Sequence, residues 1–257
     1  MPRYGKTQII LCRDYQDLGA QAASRVAARM RALLAEKEML RVVFAAGESQ
    51  STFHAALAQE KGIDWHRVVC FNIDDFWDPR LPREFTCGYQ TERELYSRVS
   101  CRAYHLVDYK APDPQAEARR FADLVREAPI HILCQGIGTS GHLALNEPFD
   151  TDFGDFRWAR VVRLVEQSKK QLRNDPNFKD LGYVPDQGIT LTIPAILSAR
   201  HIYTMVPLGL KKPILTRLLE TPEPSTALPA SILSTVESLL FVDQDSCPEA
   251  LSALPRL

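Results

Sequence analysis

Short apolar runs alternate along the chain with stretches whose apolar residues recur every three or four positions, the pattern of buried strands interleaved with amphipathic helices. Ile9, Ile10 and Leu11 form the first run, and Asp14 can cap a helix that carries Leu18, Ala22, Val26, Met30 and Leu33 on one face. Leu40 to Phe44 is the next run; it stops at Ala45, Ala46 and Gly47 before a helix restarts from Ser49 to about Gln59. Val68 to Ile73 predicts a strand that delivers Asp74 and Asp75 at its end, with Phe76 and Trp77 behind them. Residues 78 to 88 have no apolar period and read as a loop, and Tyr89 to Val99 resumes helical character. Pro112 and Asp113 start a helix lined by Ala118, Phe121, Ala122 and Val125, which leads into the apolar run Ile130 to Leu133.

The second half repeats the alternation. Val161, Val162, Leu164 and Val165 predict a strand, and Gln167 to Asn174 a helix ending near Asp175 and Pro176. Ile189 to Ile193 continues what reads as a second parallel-type unit, with a short helix up to Ser198. Ile202 to Val206 is a strand, Gly209 to Lys212 opens a helix, Pro229 starts a last short one, and Leu239 to Val242 closes the pattern. No repeat or linker divides the chain, so one α/β domain over residues 1–257 is expected, with a largely parallel sheet covered on both faces.

Charge narrows the function classes. Lys and Arg total 31 against 32 Asp and Glu, with no long run of one sign, so no footprint for nucleic acid or an anionic membrane exists and any phosphate recognised must be bound locally. The six cysteines (Cys12, Cys70, Cys87, Cys101, Cys134 and Cys247) show no CxxC pairing, which predicts reduced thiols in a cytosol. Met1 to Thr7 has no apolar core and nowhere do about 18 apolar residues run together, so a soluble, cytoplasmic protein is expected.

Three stretches carry candidate chemistry. The segment Cys134 to Asp150, CQGIGTSGHLALNEPFD, breaks from a strand into Gly136, Gly138 and Gly141 and gathers His142, Asn146 and Glu147 where ligands sit in open α/β folds. The bland alternative is that these glycines only turn the chain and His142 is a satisfied histidine. The strand, Gly47 turn and helix in succession suit a phosphate held by free N–H groups, although the same geometry joins many ordinary βα units. Asp74 and Asp75 beside aromatics suit a carboxylate of raised pKa for abstracting a proton from carbon, or else cap a helix or face solvent.

Taken in order, the Gly47 turn, FNIDDFW, GIGTSGHLALNEP, QGITLTIPAILSARHI, LGLKK and PASIL resemble the glucosamine-6-phosphate deaminase/isomerase family, related to 6-phosphogluconolactonases and ribose-5-phosphate isomerases. The resemblance spans most of the chain, and GHLALNEP favours the deaminase branch. It implies a three-layer α/β/α fold with a Rossmann-like sheet, no cofactor and no metal. It also implies roles. Asp74 is similar to the carboxylate that moves a proton between C1 and C2 of an open-chain sugar, His142 to the histidine of ring opening, and Glu147 to the acid that orients that histidine. Gly47, Ser49 and Lys212 resemble the clamp on the sugar phosphate, Arg173 a second phosphate ligand, and Gly138 and Ser140 part of the substrate-binding loop. The activity implied is conversion of an amino-sugar phosphate to a ketose phosphate and ammonia; the alternatives are a sugar-phosphate-binding or regulatory paralogue of little catalytic power and a 6-phosphogluconolactonase-like hydrolase. Family members differ in assembly, so a homo-oligomer is an open alternative. Four residues depart from the family pattern. Ser140 and Thr139 stand where an acid is expected, Ala46 replaces a hydroxyl residue, and Glu48 adds a negative charge beside the expected phosphate.

Overall fold

A computed structural model of the protein describes residues 2–174, 178 and 181–252. The chain runs β1 (Arg3–Tyr4), β2 (Thr7–Leu11), α1 (Tyr15–Glu36), β3 (Leu40–Phe44), α2 (Glu48–Leu57), β4 (Val68–Asn72), β5 (Asp74–Trp77), α3 (Cys87–Glu94), β6 (Ala103–His105), α4 (Pro114–Arg126) and β7 (Ile132–Gln135). It continues through β8 (Ala159–Arg163), α5 (Glu166–Asn174), β9 (Gln187–Leu191), α6 (Ile193–Leu197), β10 (His201–Val206), α7 (Lys212–Leu219), β11 (Ser238–Val242) and α8 (Glu249–Ser252).

The main sheet has eight strands in the order β1-β2-β11-β10-β7-β3-β4-β6, parallel throughout except for the β1–β2 pair. Strand alternation divides the apolar residues between two faces. Val42, Phe44, Ile132 and Cys134 pack with α1 and α2, while Val43 and Leu133 pack with α4, α6 and α7. The Asp14 carboxylate accepts the Asp17 N–H at 2.8 Å to start α1, and Leu18, Ala22, Val26, Met30 and Leu33 are all buried along it. Helices on both sides of a mostly parallel sheet make this a three-layer α/β/α structure of Rossmann-like type.

Strand order fixes where a ligand can sit. From β3 the chain builds outward through β4 and β6, and then returns to lay β7 on the other side of β3 before building outward through β10 and β11. The order therefore reverses between β3 and β7, and the crevice beyond their carboxyl ends is the usual ligand position in such sheets.

Several expectations are corrected. The run Val68 to Ile73 is not one strand with acids at its end. The Ile73 N–H donates to the Phe44 carbonyl at 2.9 Å while the Ile73 carbonyl accepts the Leu191 N–H at 2.9 Å, so the chain changes sheets at this residue. Asp74 and Asp75 consequently open β5, which pairs antiparallel with β9, as does β8. The expected second parallel unit is this three-stranded antiparallel sheet, β5-β9-β8, because an apolar run specifies burial and not direction. β7 is displaced to Ile132–Gln135 because the His131 N–H and ring Nδ1 are taken up by the Arg41 backbone. The helix expected to Val99 ends at Glu94 and continues only as a 3-10 turn over Tyr96–Arg98, and the segment from Pro229 is likewise a 3-10 helix, Pro229–Thr235. The helix end expected near Asp175 and Pro176 lies outside the described residues. All six cysteines are free thiols. Among the described residues no helix is long and apolar enough to cross a membrane.

Candidate active site

The crevice is walled by the turn after β3 and the long loop after β7. Gly47 occupies the N-cap of α2 at φ 94, a conformation that favours glycine, and no side chain caps the helix start. Ser49 and Gln50 follow on the first turn and lie against Gly136: a Cβ there would meet Gln50 Nε2 at 3.2 Å and Ser49 Cβ at 3.9 Å. Gln50 is fully buried with both amide atoms unpartnered among the described residues, an arrangement that costs about 1–3 kcal/mol per polar group unless a ligand or water completes it. Uncapped N–H groups, a helix dipole and a free amide suit an anion at this end of the crevice.

The loop after β7 is held in a strained form. Ala144 sits at φ 54, fixed by an isolated bridge between Leu143 and Asn146, and the buried Asn146 amide donates to Leu143 O at 3.0 Å and Leu191 O at 2.8 Å. This frame presents His142 and Glu147 to each other. His142 Nδ1 lies 2.9 Å from Glu147 Oε1 and 2.8 Å from Ser140 Oγ. The Ser140 hydroxyl donates to Glu147 Oε2 at 2.6 Å, which uses its only proton, so its contact with Nδ1 requires the proton to be on the histidine. His142 is therefore the Nδ1–H tautomer when neutral, and Nε2 is the nitrogen left for a ligand. Burial alone would raise the Glu147 carboxyl, but its bonds with His142, Ser140 and Ser168 override that and bring it down to about 2. Ser140 thus fills the space of the expected acid with a hydroxyl bridge. Gly138 provides room for the ring, since a Cβ there would lie 1.9 Å from His142 Nε2.

β9 connects this loop to Asp74. Asp74 pairs with Thr190, and the Thr190 hydroxyl accepts the Leu145 N–H at 3.1 Å. The two acids differ in their hydrogen bonds. Asp75 accepts the N–H groups of Phe76 at 2.7 Å, Cys87 at 2.8 Å and Gly88 at 2.7 Å, which ties β5 to the start of α3. Asp74 is buried with no hydrogen-bond partner among the described residues, and burial, with the charge of Asp75 second, pushes its carboxyl up to about 7. Burial pushes the Asp75 carboxyl up to about 7 as well, against the pull of its three N–H donors, so the two acids are told apart by their bonds: Asp75 is anchored by three backbone groups and Asp74 is not.

The clamp residues separate. Lys212 starts α7, half-buried and without a side-chain partner among the described residues. Lys211 instead turns inward and donates to the Ile137 carbonyl at 2.8 Å, and burial pulls its ammonium down to about 8 against the opposing charge of Glu48. Glu48 itself is exposed and is offset by this lysine. Arg173 lies exposed on α5, 3.4 Å from Glu166 on the same helix. Sequence reasoning missed Lys211, Gln50 and Ser168, whose hydroxyl donates to Glu147 Oε1. The LGLKK motif flagged a lysine but not which of the two turns inward, and nothing in the sequence flags Gln50 or Ser168. Among the described residues no three His, Cys, Asp or Glu side chains are grouped as a metal site.

The sequence model of the family described as glucosamine-6-phosphate isomerases/6-phosphogluconolactonase matches residues 13–241. A glucosamine-6-phosphate deaminase of an Exiguobacterium species is 30% identical over 203 residues, 76% of this chain and 76% of the relative. Another, of a Geobacillus species, is 28% identical over 258 residues, 96% of each. Among solved structures, a monomeric glucosamine-6-phosphate deaminase superposes with a TM-score of 0.81 at 23% identity, over 93% of this chain and 98% of that one. A 6-phosphogluconolactonase from Thermotoga maritima gives a TM-score of 0.73 at 22% identity, over 93% and 100%. These structural likenesses concern the fold.

Proposed function

This chain belongs to the family of glucosamine-6-phosphate isomerases and 6-phosphogluconolactonases, and we propose that within it the protein converts glucosamine 6-phosphate, or a close amino-sugar analogue, to the ketose phosphate with release of ammonia. The observation that carries this reading is Asp74, a buried carboxylate with no hydrogen-bond partner among the described residues, pushed up to about 7 by burial and by Asp75, on the strand that pairs with Thr190 beside the loop bearing the His142–Glu147 pair. A base of that pKa can take the proton from C2 of an open-chain amino aldose and return it to C1, which turns the C2 amine into an imine; water then adds to the imine carbon and ammonia leaves. His142, with Nδ1–H held by Glu147 and Ser140, offers Nε2 to the ring oxygen during opening. Lys212 and the Gly47–Ser49 helix start hold the phosphate away from the reacting carbons, so its binding energy orients the sugar.

Ser140 and Glu48 favour a second reading, a protein that binds the sugar phosphate with little turnover. Coupled assay of ammonia from glucosamine 6-phosphate, run beside thermal shift with the same compound and hydrolysis of a 6-phosphogluconolactone, separates the readings. Ammonia at catalytic rates is expected; stabilisation without ammonia would establish the binding reading, and lactone hydrolysis without ammonia the hydrolase.

Lys212→Ala is expected to weaken phosphorylated-sugar binding by about ten- to a hundredfold, the worth of a charge-assisted contact of roughly 1.5–3 kcal/mol. The melting temperature should stay unchanged, because a half-exposed lysine at a helix start adds little to the core. Calorimetric titration checks this, and an unaltered Kd would remove Lys212 from the site.

A further inference from the structure

Glu147 has a third partner that the roles above do not use. Its Oε1 accepts from His142 Nδ1 at 2.9 Å and also from the Ser168 hydroxyl, while Oε2 accepts from Ser140 at 2.6 Å. Ser168 does not belong to the loop after β7. It sits on α5, 21 residues further along the chain, and α5 is separately moored by Lys169, whose Nζ donates to Asp186 Oδ1 at 2.5 Å just before β9. Two elements distant in sequence therefore share one carboxylate oxygen, and the hydroxyl on one competes with the imidazole on the other for its negative charge.

We infer that Ser168 is a positioning residue that couples α5 to the His142–Glu147 pair, so that docking of α5 sets how strongly Glu147 holds the imidazolium. With Ser168 in place, Oε1 divides its charge between two donors. Without it, Oε1 serves His142 alone, and an unshared carboxylate favours the protonated ring more. Ser140 leaves this effect undiluted, because a hydroxyl at that position brings no second negative charge to Nδ1. The other charged groups around the loop stay fixed in the comparison: Lys211 reaches it through Ile137, with Glu48 facing that lysine, Arg160 through Asn146 and Asp150, and Asp74 lies across Thr190.

The test is a direct titration of His142 by NMR on histidine-labelled full-length protein, its signal assigned by loss in His142→Gln. In Ser168→Ala the midpoint is expected to rise by about 0.5–1 pH unit, roughly half of the ~1–2 units that a whole hydrogen bond to a charged group represents, because Ser168 bonds Glu147 in both protonation states of His142 and only the difference counts. In Ser168→Thr, which restores the hydroxyl, it should return to the original value. Both variants should melt as the parent does, since Ser168 is only half-buried. A midpoint that does not rise in Ser168→Ala, or that rises equally in Ser168→Thr, overturns the inference. The inference rests on the proposed function only for its kinetic counterpart, an equal upward shift of the His142-dependent limb of kcat/KM in Ser168→Ala. The NMR titration needs no turnover, so failure of the proposed reaction and failure of the coupling are told apart.

Discussion

Asp74→Asn should lower turnover by about 10²–10⁴-fold, the range for loss of a positioned base, while sugar-phosphate affinity is kept and the folded protein gains stability at pH 8. The asparagine is nearly isosteric, so the phosphate clamp and the His142 loop are undisturbed, and only the proton acceptor is gone. The stability gain follows from the direction of the pKa shift. An unfolded Asp releases its proton near 3.8, whereas burial, reinforced by Asp75, keeps it on Asp74 up to about 7. Between those values the folded state binds a proton that the unfolded state has lost, so stability falls as pH rises through the window, and above about 7 the full cost of a buried, unpartnered charge is present. Asp74→Asn removes that cost, and its melting temperature should exceed the parent's at pH 8 but match it near pH 4. The same titration gives the parent's activity its acid limb: the base works only when ionised, so kcat should climb as pH passes about 7.

Asp75, whose carboxyl burial also pushes up to about 7, differs in what the amide would lose, and Asp75→Asn should lower stability most clearly below that pH. An amide cannot accept from the N–H groups of Phe76, Cys87 and Gly88 with both of its heavy atoms, so at least one buried donor is orphaned at about 1–3 kcal/mol. Its melting temperature should fall while the folded fraction retains turnover. Loss of turnover in a folded Asp75→Asn, with Asp74→Asn still active, would reverse the assignment.

The contrast between these neighbours shows where the sequence is readable. Strong periodicity was enough for α1, where Leu18, Ala22, Val26, Met30 and Leu33 all prove buried, and for β3, which runs from Leu40 to Phe44 as expected. The antiparallel sheet of β5, β9 and β8 was not readable, because its direction is decided by where Ile73 sends its N–H and its carbonyl, and an apolar run records neither. The site divides in the same way. Asp74, His142 and Glu147 stand in recognisable motifs, and the structure brings the last two into contact and Asp74 onto the neighbouring strand. Lys211 and Lys212 are adjacent and chemically alike, so only the packing of the turn before α7 decides which turns inward to Ile137. Ser140 reads in the sequence as an acid that is missing; in the fold it is a donor that holds Glu147 and fixes the tautomer of His142. Arg173 is a guanidinium whose expected role depended on α5 pointing it inward, and it pairs with Glu166 instead.

Gly138→Ala is expected to be the most damaging change that keeps every reacting residue in the sequence. Gly138 does not have a positive φ, so alanine meets no backbone penalty there, and the effect is purely one of space. Its new methyl would sit 1.9 Å from His142 Nε2, 2.1 Å from Cε1 and 2.3 Å from Cδ2, all far inside contact distance. The ring has to swing away. Because Nδ1 is held by Glu147 Oε1 at 2.9 Å and Ser140 Oγ at 2.8 Å, any swing large enough to clear the methyl breaks those bonds and moves Nε2 from its place. Displacing a reacting group by about 1 Å costs on the order of 10²-fold in rate, and overpacking adds about 1–3 kcal/mol of destabilisation. Gly47→Ala supplies the control, since its Cβ would meet nothing within 4 Å but its φ of 94 is unfavourable for alanine. Strain at Gly47 should lower stability and phosphate affinity with the histidine undisturbed, whereas Gly138→Ala should lower kcat with the phosphate Kd nearly unchanged. Steady-state kinetics with calorimetric Kd values for both variants decides the matter; a Gly138→Ala protein with parental kcat would mean that the imidazole does not have to stay where Gly138 lets it stand.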